Sequence, residues 1–238
     1  MNLPNWLTAG RIVAAPFIAW LPFSGSSTAR FIAWALFALA AITDYVDGYL
    51  ARSRAQITDL GRLLDPLADK LLIVATLIPM FVLTGSGTSA SLFSPLATPM
   101  VAGTVGPVMK ASGLAAFPFV TPFGLIGLPW WIPVVILGRE VYMSVFRQIA
   151  KNRGVVISAI GPAKWKTAMQ LVWVGSAFFW FFIATVAMNR HWSNDGWRWF
   201  ANFNGIVGVF MMVGATALTF YSLVLYMTRY GRLLRASA

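Results

Sequence analysis

Long apolar stretches separated by short polar connections are the dominant pattern along this chain. A helix needs about 20 mainly apolar residues to cross a membrane, because the hydrocarbon core of a bilayer is roughly 30 Å thick. We therefore predict an all-α integral membrane protein with six transmembrane helices, preceded by an N-terminal interfacial segment over residues 1–8. The approximate bounds of the six helices are 11–24, 29–52, 60–84, 129–152, 162–188 and 203–228.

The composition narrows the class of protein further. Of the 238 residues, 58% are hydrophobic and 11% are charged, whereas an average soluble domain carries about 25% charged residues. These values exclude a soluble enzyme and a disordered chain. The absence of cysteine excludes a disulfide scaffold, a thiolate metal site and a cysteine nucleophile.

The basic residues predict the orientation of the helices. With the N-terminus inside, 14 Lys and Arg side chains lie at the inner ends and 4 at the outer ends. Positive charge collects on the cytoplasmic side of membrane proteins, so we expect a multi-pass protein of the cell (inner) membrane with both termini in the cytoplasm. The net charge of +11 then reflects topology and attraction to anionic lipid, and we expect no nucleic-acid partner.

We treat residues 1–238 as one membrane domain in which residues 85–128 are atypical. This segment is rich in Gly, Ser, Thr and Pro and has a single charged residue, Lys110. We expect a variable outer loop, with a re-entrant insertion as the alternative. Three glycines of the last helix are predicted to serve helix packing, with a dimer interface as one use; they are Gly205, Gly208 and Gly214.

Five of the seven acidic residues fall within positions 44–69. Asp44 and Asp47 are three residues apart, and Asp65 and Asp69 are four apart, so each pair occupies one face of its predicted helix. The linker between the two helices is about seven residues long (53–59), so antiparallel packing would bring the pairs together near the cytoplasmic side. Ionisable groups within membrane helices are candidates for a functional site.

Four facing carboxylates need compensating positive charge, because like charges and loss of water both disfavour the ionised form. Two divalent cations would balance the four negative charges. Ligands that are all oxygen favour Mg²⁺ or Mn²⁺ over zinc, and two such ions indicate chemistry at phosphate. Salt bridges to neighbouring arginines are the alternative explanation, which we accept for Asp59 but which does not account for two helical pairs.

Small and basic residues accompany the acids. Gly48 and Ala51 leave room for a flat, bulky group beside the helix, and Arg52 is suited to a phosphate. The spacing resembles the signature of the CDP-alcohol phosphotransferase family. It reads Asp44-x2-Asp47-Gly48-x2-Ala51-Arg52-x8-Gly61-x3-Asp65-x3-Asp69.

The beginning of the chain and the fourth and fifth helices add to this resemblance. The run from Asn2 to Thr8, followed by Arg11 and Pro16, is similar to the start of the phosphatidylglycerophosphate synthase branch of that family. Later positions are also similar to that branch, although Pro162 and Trp165 depart from its basic pattern. The later positions are Arg139, Glu140, Arg147, Gly161, Lys164, Lys166, Thr167 and Gln170.

The resemblance implies specific roles for these residues. Asp44, Asp47 and Asp65 would hold a first metal ion, and Asp44, Asp65 and Asp69 a second. Asp69 would also be the general base. The residues implied for binding CDP-diacylglycerol are Asn5, Thr8, Gly48, Ala51, Arg52 and Thr58.

The phosphate of the acceptor needs cations of its own. A buried arginine requires an anionic partner, which favours a functional role for Arg139, and Arg147 lies about two helical turns beyond it. Positive-inside topology is the alternative explanation for such residues, and for Arg11 the two explanations are equally good. The candidate acceptor-phosphate residues are Arg139, Arg147, Lys164, Lys166 and Arg11.

The resemblance implies transfer of a phosphatidyl group from CDP-diacylglycerol to glycerol 3-phosphate in a homodimeric membrane enzyme. Sister activities with a cardiolipin-forming, inositol-phosphate or serine acceptor are the alternatives within the family. A cation or proton transporter is the alternative from another class, since intramembrane acids also line ion paths. Transporters, however, place such acids near the bilayer midplane and contain internal repeats, and the sequence shows no repeat.

Overall fold

The computed structural model describes residues 3–54, 59–84, 108–109, 115–154 and 161–236. Six long helices dominate this part of the chain, and two small antiparallel strand pairs lie between the third and fourth helices. The helices are α1 (Leu3–Trp20), α2 (Ser27–Arg54), α3 (Asp59–Thr84), α4 (Trp131–Asn152), α5 (Gly161–Asn189) and α6 (Asp195–Ala236), with a short 3₁₀ helix over Leu21–Phe23. The strands are β1 (Val108–Met109), β2 (Ala115–Ala116), β3 (Phe119–Thr121) and β4 (Gly124–Ile126).

Five of these helices are long and apolar enough to cross a membrane, which confirms an all-α integral membrane protein. They are α1, α2, α3, α5 and α6; α4 is also present as a helix of 22 residues, and its crossing of the membrane stays a prediction. α1 begins at Leu3, earlier than predicted, so residues 3–8 are continuous with the first helix. Pro4 is compatible with this start, because a proline in the first helical turn removes no intrahelical hydrogen bond.

α5 lies at the centre of the bundle, where it packs against α2 and α6. Its side chains Trp173, Phe178, Trp180 and Phe181 are all fully buried. Phe178 stacks on Phe37 of α2, with the ring centroids 5.8 Å apart. A helix that is apolar all round belongs in the interior of a bundle, which explains this central position. α1 packs mainly on α3 and α2, and this arrangement builds the candidate site.

Most of the described residues 115–128 pack into the bundle, whereas Phe123 at the tip of the hairpin is exposed. β3 pairs with β4 in a tight hairpin in which Val120 faces Leu125. Phe117 and Val120 are fully buried, and the Trp180 indole donates a hydrogen bond to the Pro118 carbonyl oxygen at 3.0 Å. The apolar side chains of these residues therefore fill space between helix ends, and the outer-loop or re-entrant placement of residues 85–128 stays a prediction.

Two glycines of α6 make room for this hairpin. A methyl group on Gly205 would overlap the carbonyl oxygen of Val120, and one on Gly208 would overlap the ring of Phe119. These two glycines thus allow close packing of a strand on a helix. Gly214 faces a neighbouring helix, where an added methyl group would lie 2.7 Å from the sulfur of Met169.

The hairpin and the acidic residues lie at opposite ends of α3. The Phe117 amide donates to the Leu83 carbonyl oxygen at 2.6 Å, and the Leu128 amide donates to the Thr84 hydroxyl at 3.2 Å. Asp69 lies 14 residues before Leu83, or roughly 20 Å along the helix axis. The hairpin therefore closes one end of the bundle and leaves the other end to the polar site.

Candidate active site

α1 presents three polar side chains on one face toward its neighbouring helices. Asn5, Thr8 and Arg11 follow one another at intervals of three residues, which places them one above the other on a helix. All three side chains are buried. Because buried polar groups need hydrogen-bonding partners, this face has to meet other polar groups, and it does so at α2 and α3.

Arg11 connects the three helices. Its Nη1 atom bonds the carboxylate of Asp44 in α2 and lies 3.4 Å from Oδ1 of Asp69 in α3. Its Nη2 atom donates to the hydroxyl of Thr8 at 3.3 Å. One guanidinium group thereby holds a carboxylate of α2 and a carboxylate of α3 beside the polar face of α1.

The two carboxylates and the arginine differ in their access to solvent. Arg11 is only 4% exposed, whereas the side chains of Asp44 and Asp69 are 54% and 58% exposed. The guanidinium group therefore lies beneath the acids and supplies positive charge from the protein side. The opposite side of each carboxylate is open to a ligand.

The structure brings together four of the predicted site residues, Thr8, Arg11, Asp44 and Asp69, and buries Asn5 one turn before Thr8 on α1. α2 is helical through positions 44 and 47, and α3 through positions 65 and 69, as the predicted pairing on one face requires. For the remaining predicted residues of this site, the structure describes the backbone but not the side chain, and Thr58 lies wholly outside the described residues. They are Asp47, Gly48, Ala51, Arg52, Thr58 and Asp65.

The donors that are described fit a hard metal ion. Asp44 and Asp69 approach the same guanidinium nitrogen, so their oxygens lie near each other, and both are open to solvent. Oxygen-only ligand sets of this kind suit Mg²⁺ or Mn²⁺. Among the side chains that the structure describes, no three acidic or histidine residues come together, so the four-carboxylate arrangement stays a prediction.

A second buried polar group joins α4, α5 and α6. Oε1 of Glu140 accepts a hydrogen bond from Nη1 of Arg139 at 3.0 Å and is also bonded by Nζ of Lys166. Nη2 of Arg139 donates to the hydroxyl of Ser222 at 3.4 Å. Arg139 and Lys166 are buried, and Glu140 is 22% exposed. We call Arg139, Glu140 and Lys166 the α4–α5 charge cluster.

This cluster includes two of the predicted acceptor-phosphate residues, Arg139 and Lys166. The other two candidates for this phosphate on α4 and α5, Arg147 and Lys164, are both exposed. Sequence reasoning missed the part played by Glu140, although it is the only glutamate in the chain and follows Arg139 directly.

The family profile for CDP-alcohol phosphatidyltransferases matches residues 1–221 of this chain. The chain belongs to the CDP-alcohol phosphatidyltransferase family. This membership agrees with the resemblance of the aspartate spacing and replaces the transporter alternative. A CDP-alcohol phosphatidyltransferase of this kind is a multi-pass membrane protein, and the family in general uses divalent metal ions.

Individual relatives of this CDP-alcohol phosphatidyltransferase come from bacteria and plants. A probable phosphatidylglycerophosphate synthase of Mycobacterium tuberculosis is 34% identical over 177 residues, which cover 73% of this chain and 64% of the relative. The CDP-diacylglycerol–glycerol-3-phosphate 3-phosphatidyltransferase 2 of Arabidopsis thaliana is 32% identical over 181 residues, covering 72% and 62%. A Rickettsia bellii protein with the same activity in its name is 48% identical over 77 residues, covering 32% and 42%. The chain thus spans less than two thirds of the length of these relatives.

Proposed function

We propose that this protein transfers the phosphatidyl group of CDP-diacylglycerol to glycerol 3-phosphate, yielding phosphatidylglycerophosphate and CMP in phospholipid biosynthesis. The observation that carries the proposal is the meeting of Asp44 and Asp69, from two helices, on the single guanidinium group of Arg11. Relatives whose names state this reaction support the choice of donor and acceptor.

Asp69 is the proposed general base. Its carboxylate is more than half exposed, so it can receive the proton of an acceptor hydroxyl that approaches from the open side. The hydroxyl oxygen forms a bond to the β-phosphorus of CDP-diacylglycerol, and the bond from that phosphorus to the bridging oxygen breaks. CMP leaves with the electron pair, and the proton stays on Asp69. Arg11 keeps the carboxylate in position for this transfer.

Asp44, Asp47, Asp65 and Asp69 are the proposed ligands of two divalent ions, Mg²⁺ or Mn²⁺. Bound ions of this type neutralise the negative charge on phosphate oxygens. The two carboxylates that the structure describes support the assignment, because both present oxygen atoms to solvent at the same end of the bundle.

The CDP part of the donor is proposed to lie against the small residues of α2. Gly48 and Ala51 would leave space for it, with Arg52 and Thr58 as polar contacts. The polar face of α1, with Asn5 and Thr8, lies beside Asp44 and supports a role for α1 in covering the donor.

The phosphate of glycerol 3-phosphate is proposed to bind at Arg139 and Lys166, with the exposed Arg147 and Lys164 at the edge. Their convergence in the α4–α5 charge cluster supports this assignment. Arg11 was a further candidate for this phosphate, but its described bonds to Asp44 and Asp69 favour a role with the carboxylates.

The remaining proposals concern the whole protein. The site faces the cytoplasm of a cell (inner) membrane, both termini are cytoplasmic, residues 1–238 form one domain, and the protein works as a homodimer. The distribution of basic residues supports the orientation, and the likeness to the family supports the domain and the dimer.

An acceptor panel tests the proposed function. The purified full chain is incubated with CDP-diacylglycerol and Mg²⁺ or Mn²⁺, and CMP release is measured with glycerol 3-phosphate, inositol phosphate, serine or phosphatidylglycerol as acceptor. We expect CMP with glycerol 3-phosphate. Release only with another acceptor would assign a sister activity, and no release with any acceptor would contradict the proposal.

A further inference from the structure

The α4–α5 charge cluster carries a net charge of +1, and both of its cations bond the same oxygen atom. The two cations, Arg139 and Lys166, both bond Oε1 of Glu140. Two buried cations at such close quarters repel each other more strongly than in water, because the local dielectric constant is lower. The Glu140 carboxylate between the two cations offsets this repulsion and so allows their charged groups to lie close together.

Arg139 also has one hydrogen-bond donor without a partner within the described part of the structure. Its Nη1 bonds Glu140 and its Nη2 bonds Ser222, but its Nε is buried with no hydrogen-bond partner among the described residues. The side chain is only 7% exposed. A buried donor without a partner is unfavourable, and a bound anion with acceptor oxygens would satisfy it.

A purely structural salt bridge between α4 and α5 requires neither feature. One cation would neutralise Glu140, and a second cation would add only repulsion and desolvation. The excess charge, together with an Nε that has no partner among the described residues, instead matches a binding site for an anion. A phosphate monoester supplies both the negative charge and several acceptor oxygens.

We infer that Glu140 is a positioning residue for the acceptor's phosphate. It holds Arg139 and Lys166 side by side before the acceptor arrives, so that less ordering has to occur on binding. Ser222 supports the same arrangement from α6 through Nη2 of Arg139. This inference rests on the proposed function, since it takes glycerol 3-phosphate as the acceptor.

The test is the variant Glu140→Gln in the full-length protein, with both substrates varied. We expect the KM for glycerol 3-phosphate to rise about tenfold while the KM for CDP-diacylglycerol changes less than about twofold. Equilibrium binding of glycerol 3-phosphate without the donor should weaken by a similar factor. Asp195→Asn is the matched control, because Asp195 pairs with Arg198 at 3.7 Å on the exposed surface, and it should alter neither KM.

Two results would overturn the inference. One is a KM for glycerol 3-phosphate that is unchanged or lower in Glu140→Gln. The other is an equal rise in the KM for both substrates together with a lower melting temperature, which would indicate a structural role. If Glu140→Gln does not fold, Ser222→Ala decides the question, because it keeps every charge and removes one bond of Arg139. It should raise the same KM about two- to fivefold, and no change would contradict the inference.

The wild-type protein separates this inference from the proposed function. If wild-type protein binds glycerol 3-phosphate but releases no CMP with it, the proposed function fails. Weaker binding in Glu140→Gln would then still support the positioning role, and equal binding would overturn it. If wild-type protein does not bind glycerol 3-phosphate at all, both proposals fail.

Discussion

Nη1 of Arg11 lies 3.4 Å from Oδ1 of Asp69, across a separation of 58 residues in sequence. The same nitrogen bonds Asp44, so the first helix is part of the site that α2 and α3 form. The buried guanidinium group fixes two carboxylates whose other sides face solvent. The first three expectations below concern this arrangement, and the last concerns the packing of the β3–β4 hairpin on α6.

Asp69→Asn should reduce turnover by at least about 100-fold, in the range typical of lost general acid–base catalysis. An amide has nearly the shape of the carboxylate but cannot accept the acceptor's proton. The measurement is CMP release from CDP-diacylglycerol at saturating glycerol 3-phosphate. Asp59→Asn is the control, because we leave Asp59 out of the site, and it should keep near-normal turnover. Near-normal turnover in Asp69→Asn would show that the base has been wrongly assigned.

Arg11→Lys should lower CMP release by about tenfold or more, because an ammonium group cannot reproduce the planar fork that bonds Asp44, Asp69 and Thr8. Arg11→Gln also removes the positive charge and should lower the free energy of unfolding by about 1–2 kcal/mol. The loss stays this small because water screens the exposed sides of the two acids. The melting temperature in detergent reports the second effect.

Arg198→Gln is the matched control for the Arg11 variants. Arg198 also pairs with an aspartate, Asp195, but at 3.7 Å and with both side chains exposed. We expect no change in activity or stability there, because exposed ion pairs contribute little. Full activity in Arg11→Lys and Arg11→Gln would mean that the guanidinium group does not organise the carboxylates.

Removal of divalent ions should abolish CMP release, and Mg²⁺ or Mn²⁺ should restore it. Asp44→Asn should raise the metal concentration needed for half-maximal activity by about tenfold, because one charged ligand is lost. Metal titration of wild-type and variant protein, followed by CMP release and by melting temperature, checks both effects. Undiminished activity after thorough chelation would contradict the metal assignment.

Gly205→Ala should destabilise the protein by roughly 1–3 kcal/mol, the range typical of overpacking. Its methyl group would overlap the backbone oxygen of Val120, which cannot move without shifting the buried hairpin. Gly138→Ala is the matched control, because nothing lies within 4 Å of the added carbon. That helical substitution should be neutral or stabilising by up to about 1 kcal/mol. Equal melting temperatures for the two variants would contradict the packing of the hairpin on α6.

The helices and the candidate acids were predictable from the sequence, because apolar length and three- or four-residue spacing are local properties. The bridging role of Arg11 was not, since it depends on how α1 approaches α2 and α3. The burial of the β3–β4 hairpin was also missed, because strands of three residues are too short to show a periodic pattern. Glu140 was seen only as the neighbour of Arg139, and its bond to Lys166 arises from the packing of α5 on α4.

The most direct test of the central claim is the fate of labelled glycerol 3-phosphate. Full-length protein is incubated in lipid vesicles with CDP-diacylglycerol, a divalent ion and the labelled acceptor, and the lipid fraction is then examined. We expect the label in phosphatidylglycerophosphate, formed in equal amount to the CMP released, and at least about 100-fold less of it in the lipid fraction with Asp69→Asn. Label that stays entirely in the aqueous phase with active wild-type protein would contradict the account.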